Sequence, residues 1–235
     1  MRDDLSLMPA TDAAPRASAT IIPFPGRSGR SIPLSGRSNS ANIFDAVTDG
    51  LELKSRLHAP TLLAASGALA GFAAQQALLL EGGSSWAQPM RAKRLDHLLL
   101  SANASDASLW WNLCVAAHEL GAQHLPEPQT LLASTLKCVG TSQFGLITLP
   151  LEYKLNEQPQ TALVRLWARV RTVLDDAHVK PAAWPRLMAA MCAERVVAVR
   201  RDVPPHVALR ITMQAALAMA LVEPRAIPGA ALKAE

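Results

Sequence analysis

The segment that most resembles a catalytic motif is AHELGAQH, residues 117–124, in which a His-Glu pair is followed by a second histidine. The helix of a zinc peptidase needs its two histidines at positions i and i+4, with a glutamate after the first as general base. In this chain Ala122 occupies the second ligand position, and His124 comes six residues after His118. Six residues rotate a helix by about 240° beyond one full turn, so the two imidazoles cannot share a face. We therefore expect no metal site and no catalytic residue in this segment.

Other patterns of catalysis are also missing from the sequence. It contains no GxSxG nucleophile elbow, no phosphate-binding glycine loop and no dinucleotide fingerprint. The first residues are polar and lack the apolar run of a secretion signal. The cysteines are far apart, lie among apolar residues and form no CxxC pair: Cys114, Cys138 and Cys192. These features predict a cytoplasmic protein with reduced thiols and without a metal or cofactor, and they favour a protein that is not an enzyme without excluding an enzyme.

Four polar side chains interrupt helical segments that are otherwise apolar, namely Gln75, Glu194, Arg210 and Gln214. A buried polar group needs a hydrogen-bonding partner, so these residues are candidates for the polar groups of a small-molecule pocket. Exposure at helix ends or mutual pairing is the simpler interpretation. A helical enzyme or carrier with an apolar pocket therefore stays open as an alternative function.

Residues 1–41 are rich in Pro, Gly, Ser and Ala, with little helical or alternating pattern. Such a segment cannot bury enough apolar surface to offset the entropy of ordering, so we predict a disordered tail. Its apolar IIPFP stretch is typical of a peptide that docks in extended form, and its three Gly-Arg-Ser triplets could neutralise phosphates. The candidate binding residues are Ile22, Phe24, Arg27, Arg30 and Arg37.

The net charge of the chain is only +4, and it is spread along the sequence. Lys and Arg counted against Asp and Glu give +2 for residues 1–41, −2 for residues 42–150 and +4 for residues 151–235. Duplex-binding domains concentrate positive charge on one face. A nucleic-acid regulator that uses the tail is therefore a weaker alternative than a protein-binding arm.

From residue 42 onward, the sequence predicts one all-α domain, residues 42–224, followed by a frayed C-terminus, residues 225–235. Proline near the starts and glycine near the ends of apolar-periodic segments indicate seven or eight helices in a compact bundle around a central apolar helix. We expect helices over 42–57, 60–82, 95–100, 128–139, 185–201 and 206–222. Two further helices are expected: one that is capped by Asp106 and ended by Gly121, and one that begins at Pro159. We expect residues 84–94 to be irregular and residues 141–158 to form one long packed loop.

The central helix carries no charge from Ala59 to Leu80. About 22 residues at about 1.5 Å each are long enough to cross a bilayer, but the segment is mostly Ala and Gly, with an adjacent glutamine pair, so we expect no membrane span. Gly67 and Gly71 form a GxxxG pattern, which lets a second helix backbone approach closely. We interpret this strip as a close crossing inside the core, and a homodimer seam is the alternative.

Three stretches resemble a group of uncharacterised proteobacterial all-helical proteins: LELKSRLHAPTLLAASGALAGFAAQ from Leu51, VGTSQFG from Val139 and LRITMQAA from Leu209. The resemblance covers most of the body and not the tail. It implies no established activity and transfers no catalytic residue. It also suggests that the irregular segment in the middle of the chain varies in length and is short here.

Together these observations favour a binding or regulatory protein with a helical body and a flexible N-terminal docking arm. We expect its partner to be another protein or a second copy of the chain.

Overall fold

The structure, a computed structural model of the chain, describes residues 43, 45, 49, 58–82, 88–147 and 149–230. Within these residues it contains seven α-helices and no β-strand, so the all-α prediction is confirmed. The helices are α1 (Ala59–Gly82), α2 (Gln88–Leu100), α3 (Leu109–Glu119), α4 (Pro128–Cys138), α5 (Pro159–Asp176), α6 (Trp184–Ala198) and α7 (Pro205–Met219). The predicted tail and most of the predicted helix over 42–57 lie outside the described residues.

The central helix of the fold is α1, which packs most extensively against α7 and also contacts α6, α5 and α2. Leu63, Leu69 and Phe72 have no exposed surface. By length and composition α1 could cross a membrane, since its most apolar 18-residue window has a mean hydropathy of 1.4. However, 89% of that window is buried inside the protein, as in the core helix of a soluble bundle.

The contact between α1 and α7 is a close backbone crossing at two glycines. A Cβ atom on Gly67 would lie 2.1 Å from the carbonyl oxygen of Thr212, and one on Gly71 would lie 1.9 Å from that of Ala216. Both pairs advance by four residues in the same direction, so the two helices run parallel here. The sequence left open whether the GxxxG strip of Gly67 and Gly71 makes a crossing in the core or a homodimer seam. In the structure this strip is covered by α7 of the same chain.

Three aromatic rings fill the space between α1, α5 and α6. The ring of Trp167 stands edge-on to Phe72, with centroids 4.9 Å apart, and to Trp184, with centroids 6.2 Å apart. The indole N–H groups of Trp167 and Trp184 donate to the carbonyl oxygens of Gly229, at 3.3 Å, and Val179, at 2.9 Å. Because both polar indole groups are satisfied, the tryptophans can be fully buried.

The C-terminal segment differs from the prediction of a frayed end at 225–235. A 3-10 turn covers Pro224–Ala226, Ile227 is 3% exposed, and Gly229 accepts the Trp167 hydrogen bond. Residues 225–230 therefore pack on the body, and residues 231–235 lie outside the described part of the chain. The prediction of a frayed end rested on the position of these residues after the last helix, and it could not include the long-range hydrogen bond between Gly229 and Trp167 on α5.

Several helix ends also differ from the predictions. Helix α2 begins at Gln88, within the stretch 84–94 that we expected to be irregular, and most of its side chains are exposed. The polar composition of this stretch does not indicate a helix, because only a few of its residues are apolar and pack on the bundle. Helix α6 ends at Ala198, before the arginine pair that the prediction included. Between α4 and α5 the chain forms a loop of turns, with a 3-10 turn at Leu151–Tyr153.

The cap of α3 is a further correction. Ser108, and not Asp106, is the N-cap residue, and its hydroxyl oxygen accepts from the backbone N–H of Trp111 at 3.0 Å. The carboxylate of Asp106 instead accepts hydrogen bonds from the hydroxyls of Ser101 and Ser105. Asp106 thus closes the turn between α2 and α3 and leaves the capping position to the serine.

Candidate functional site

The most unusual feature of the described surface is a set of large aliphatic side chains exposed within one short stretch. We define the aliphatic surface as Leu136, Val139, Leu146 and Leu151, which are 50%, 50%, 47% and 89% exposed. Single exposed aliphatic residues are ordinary, whereas four of them within 16 residues of chain make this stretch a candidate interaction surface. The sequence predicts a helix over 128–139 and a packed loop over 141–158, and it does not single out these four side chains as exposed.

Consecutive tight turns position the aliphatic surface. After α4, the backbone N–H of Val139 donates to Leu136, that of Thr141 to Cys138, that of Phe144 to Thr141 and that of Leu146 to Gln143. Gly145 adopts a positive φ of 78°, and a Cβ atom there would lie 3.3 Å from the terminal methyl carbon of Met219 at the end of α7. Gly145 therefore lies against the end of α7, while the side chain of the next residue, Leu146, is about half exposed. Leu221, just beyond α7, is also 39% exposed.

An open depression of about 410 Å³ lies between the end of α3 and the start of α7. It is lined by Leu120, Gly121, Ala122, Gln123, His124, Pro205 and His206. Among the described residues, no three His, Cys, Asp or Glu side chains are grouped in a way that could hold a metal ion. The depression is a wide, open feature with two exposed imidazoles, and it lacks the enclosure that small-molecule sites use to desolvate a ligand.

The four polar residues predicted to line a pocket do not converge. Gln75 donates to the carbonyl oxygen of Val222 at 3.0 Å, at the C-terminal end of α1. Arg210 and Gln214 are each two residues from Thr212, which faces α1, so their side chains leave α7 on the opposite side. Glu194 and Arg210 are exposed, and Gln214 is half-buried.

A serine, a histidine and an acid do meet at the turn before α3, without forming a nucleophile. The hydroxyl of Ser101 donates to the Asp106 carboxylate, and Nε2 of His97 lies 3.5 Å from the same carboxylate. In a hydrolase the histidine must accept the serine proton, and here the carboxylate stands in that place. The hydrogen bond from Ser101 is the main reason why the pKa of Asp106 lies below its ordinary value.

A buried polar group that the prediction underrated is Arg195 on α6. Its neighbour Glu194 was taken as the pocket candidate, but Glu194 is exposed and Arg195 is only 1% exposed. One turn earlier, the thiol of Cys192 donates to the carbonyl oxygen of Ser66 on α1 at 3.4 Å, and burial raises the pKa of that thiol to about 12. A thiol that stays protonated is a poor nucleophile, so this pair packs α6 on α1 and offers no reactive group.

No protein-family model matches the sequence, and no curated protein or solved structure is significantly similar to it. What the described residues define is an all-α bundle around a buried apolar helix, with an exposed aliphatic surface on α4 and the turns that follow it. The predicted tail residues Ile22, Phe24, Arg27, Arg30 and Arg37 lie outside the described part.

Proposed function

We propose that this chain is a non-enzymatic binding or regulatory protein of the cytoplasm, whose helical body self-associates through the aliphatic surface. The observation that carries the proposal is the exposure of Leu136, Val139, Leu146 and Leu151 within 16 residues of chain. Their removal from water would contribute about 25 cal/mol for each square ångström of apolar area buried. Most soluble oligomers are symmetric, and two-fold dimers are by far the commonest, so a second copy is the partner that the proposal names.

In this proposal the N-terminal arm has a separate role, the capture of a further protein. The proline-stiffened apolar residues Ile22 and Phe24 suit an extended docking peptide, because proline lowers the entropy lost on binding. The arginines at 27, 30 and 37 would assist by pairing with acidic groups of that partner. The alternatives, a nucleic-acid regulator and a small-molecule carrier, have no observation among the described residues that favours them.

The test is a measurement of solution mass over a range of protein concentrations, by light scattering and native mass spectrometry. The wild-type chain of 25.1 kDa should give twice its monomer mass at high concentration. A variant with Leu136→Glu and Leu151→Glu should stay monomeric, because like charges would be buried together in the interface. Val164→Glu with Val197→Glu is a matched control, since these valines are exposed on other helices. A wild-type chain that is monomeric throughout would contradict the proposal.

A further inference from the structure

Charged side chains of both signs accompany the exposed leucines of the aliphatic surface. From Leu136 to Lys154 the sequence has only three charged residues: Lys137, which follows Leu136, Glu152, which follows Leu151, and Lys154 itself. All three are exposed, and none of them forms an ion pair with another described residue. By contrast, each arginine of α5 is paired with a carboxylate of this chain. The charges beside the leucines are therefore available to a partner.

The structure anchors the stretch that carries these charges at Gly145. A Cβ atom there would lie 3.3 Å from the terminal methyl carbon of Met219 and 3.9 Å from the side-chain oxygen of Gln160, in the first turn of α5. The chain that leaves Gly145 therefore returns beside it at the start of α5, and Glu152 lies within this closed loop. On the other side, consecutive turns connect Gly145 to the end of α4, where Lys137 lies. Both charges thus belong to one part of the surface.

Charges of both signs on one surface favour a second copy of the chain as its partner. In a two-fold dimer both subunits present the same surface, so a residue at one position meets the residue at another position twice. A surface with charges of one sign would repel its own copy, and opposed like charges are costly at an interface. A lysine and a glutamate at separate positions make the surface complementary to itself.

We propose that Lys137 of each copy pairs with Glu152 of the other, so that the end of α4 packs on the 3-10 turn of the second copy. This inference rests on the proposed self-association through the aliphatic surface, and it adds the residues that select the partner and fix the register. The pairing brings Leu136 against Leu151 of the second copy, whose side chain is 89% exposed. Burial of the leucines supplies affinity, and the charges supply specificity.

Two other arrangements of the same surface are less favourable. If the two α4 ends faced each other, Lys137 would oppose its own copy and the negative ends of two helix dipoles would meet. If the two 3-10 turns faced each other, Glu152 could pair with Lys154, but Leu136 and Val139 at the end of α4 would stay in water. Of the three arrangements, the crossed one both pairs the charges and covers the aliphatic side chains of both elements.

The experiment mixes two charge-reversal variants of the full-length chain. Lys137→Glu opposes two glutamates across each pair, and Glu152→Lys opposes two lysines, so each variant should dimerise roughly tenfold or more weakly than the wild type. In the mixture every pair again joins a lysine to a glutamate, so a heterodimer should form with about the wild-type affinity. Native mass spectrometry detects it when one variant carries a mass label. Formation of the heterodimer also shows that both variants are folded.

Two controls separate the pairing from general effects of charge. Lys180→Glu and Glu119→Lys change the net charge by the same amounts at exposed positions on other elements, and they should dimerise and mix as the wild type does. Lys154→Glu should also dimerise as the wild type does. If it weakened the dimer as Lys137→Glu is expected to, the two turns would face each other and the proposed register would be wrong.

The remaining outcomes distinguish this inference from the proposed function. A dimeric wild type whose two reversal variants show no preference for the heterodimer would overturn the inference and leave the self-association in place. An equal preference in the mixture of Lys180→Glu and Glu119→Lys would also overturn it, because net charge would then explain the result. A wild-type chain that is monomeric at every concentration would overturn both.

Discussion

A Cβ atom on Gly71 would lie 1.9 Å from the carbonyl oxygen of Ala216, so the backbones of α1 and α7 touch at this point. No side chain other than hydrogen fits between them. The obstacle is backbone and not the end of a flexible side chain, so a larger residue must push two central helices apart. The crossing therefore fixes the separation of the two most deeply buried helices in the bundle.

This crossing predicts whether the substitution Gly71→Ala raises or lowers the free energy of unfolding. In an open helix, Gly→Ala stabilises by about 1 kcal/mol through helix propensity. In Gly71→Ala, overpacking against Ala216 should outweigh that gain and lower the free energy of unfolding by about 1–3 kcal/mol. Urea denaturation measures the difference. A stabilised Gly71→Ala protein would show that α7 does not lie against this glycine.

The correction at the start of α3 predicts different effects for two neighbouring serines. Ser108→Ala removes the cap of Trp111 and the hydrogen bond from the serine hydroxyl to the carbonyl oxygen of Ser101, so it should cost about 1 kcal/mol or more of stability. Ser105→Ala removes only an exposed contact with Asp106 and should change the stability by less than about 0.5 kcal/mol. Thermal unfolding of the two variants measures the loss of stability in each. Equal effects would contradict the assignment of Ser108 as the cap.

The buried thiols predict a loss of stability in mild alkali. Burial raises the pKa of Cys114 and of Cys192 from 9.0 to about 12. Above pH 9 the thiols of the unfolded chain release protons while those of the folded chain retain them. The unfolded state then binds fewer protons, so the free energy of unfolding falls as pH rises, by up to about 1.4 kcal/mol per pH unit for each thiol.

The useful window for this measurement lies between pH 8 and 10. Arg195 has a lowered pKa of about 10 and acts in the opposite direction above that pH, where its release of a proton in the folded state adds stability. Urea melts between pH 8 and 10 should show a negative slope in the wild type and a shallower one in Cys192→Ala. Identical slopes would mean that this thiol is exposed to solvent in the folded protein.

The sequence predicted best those features of the fold that depend on residues close together in the chain. Proline at helix starts and the spacing of apolar residues identified α5 and α7 closely, and the GxxxG pattern indicated a close crossing. The helix that makes the crossing could not be named, because Gly71 and Ala216 are far apart in the chain and their contact depends on the whole packing arrangement.

The burial of Arg195 could have been inferred. It continues the stripe formed by Met188, Met191, Cys192 and Val199 at three- and four-residue spacing, and all of these side chains are buried. The aliphatic surface could not have been inferred in the same way. An apolar side chain that faces the core and one that faces a partner give the same periodic pattern, so the pattern that includes Leu136 does not say which of the two it faces.

Cross-linking from Leu151, which is 89% exposed, tests the central claim most directly. A photoreactive amino acid at this position should yield, on irradiation of the purified protein, a covalent product of twice the 25.1 kDa chain mass. The same amino acid in place of the exposed Lys180, before α6, should yield the monomer only. Monomer alone from position 151, at concentrations where light scattering reports a dimer, would contradict the assignment of the aliphatic surface as the interface.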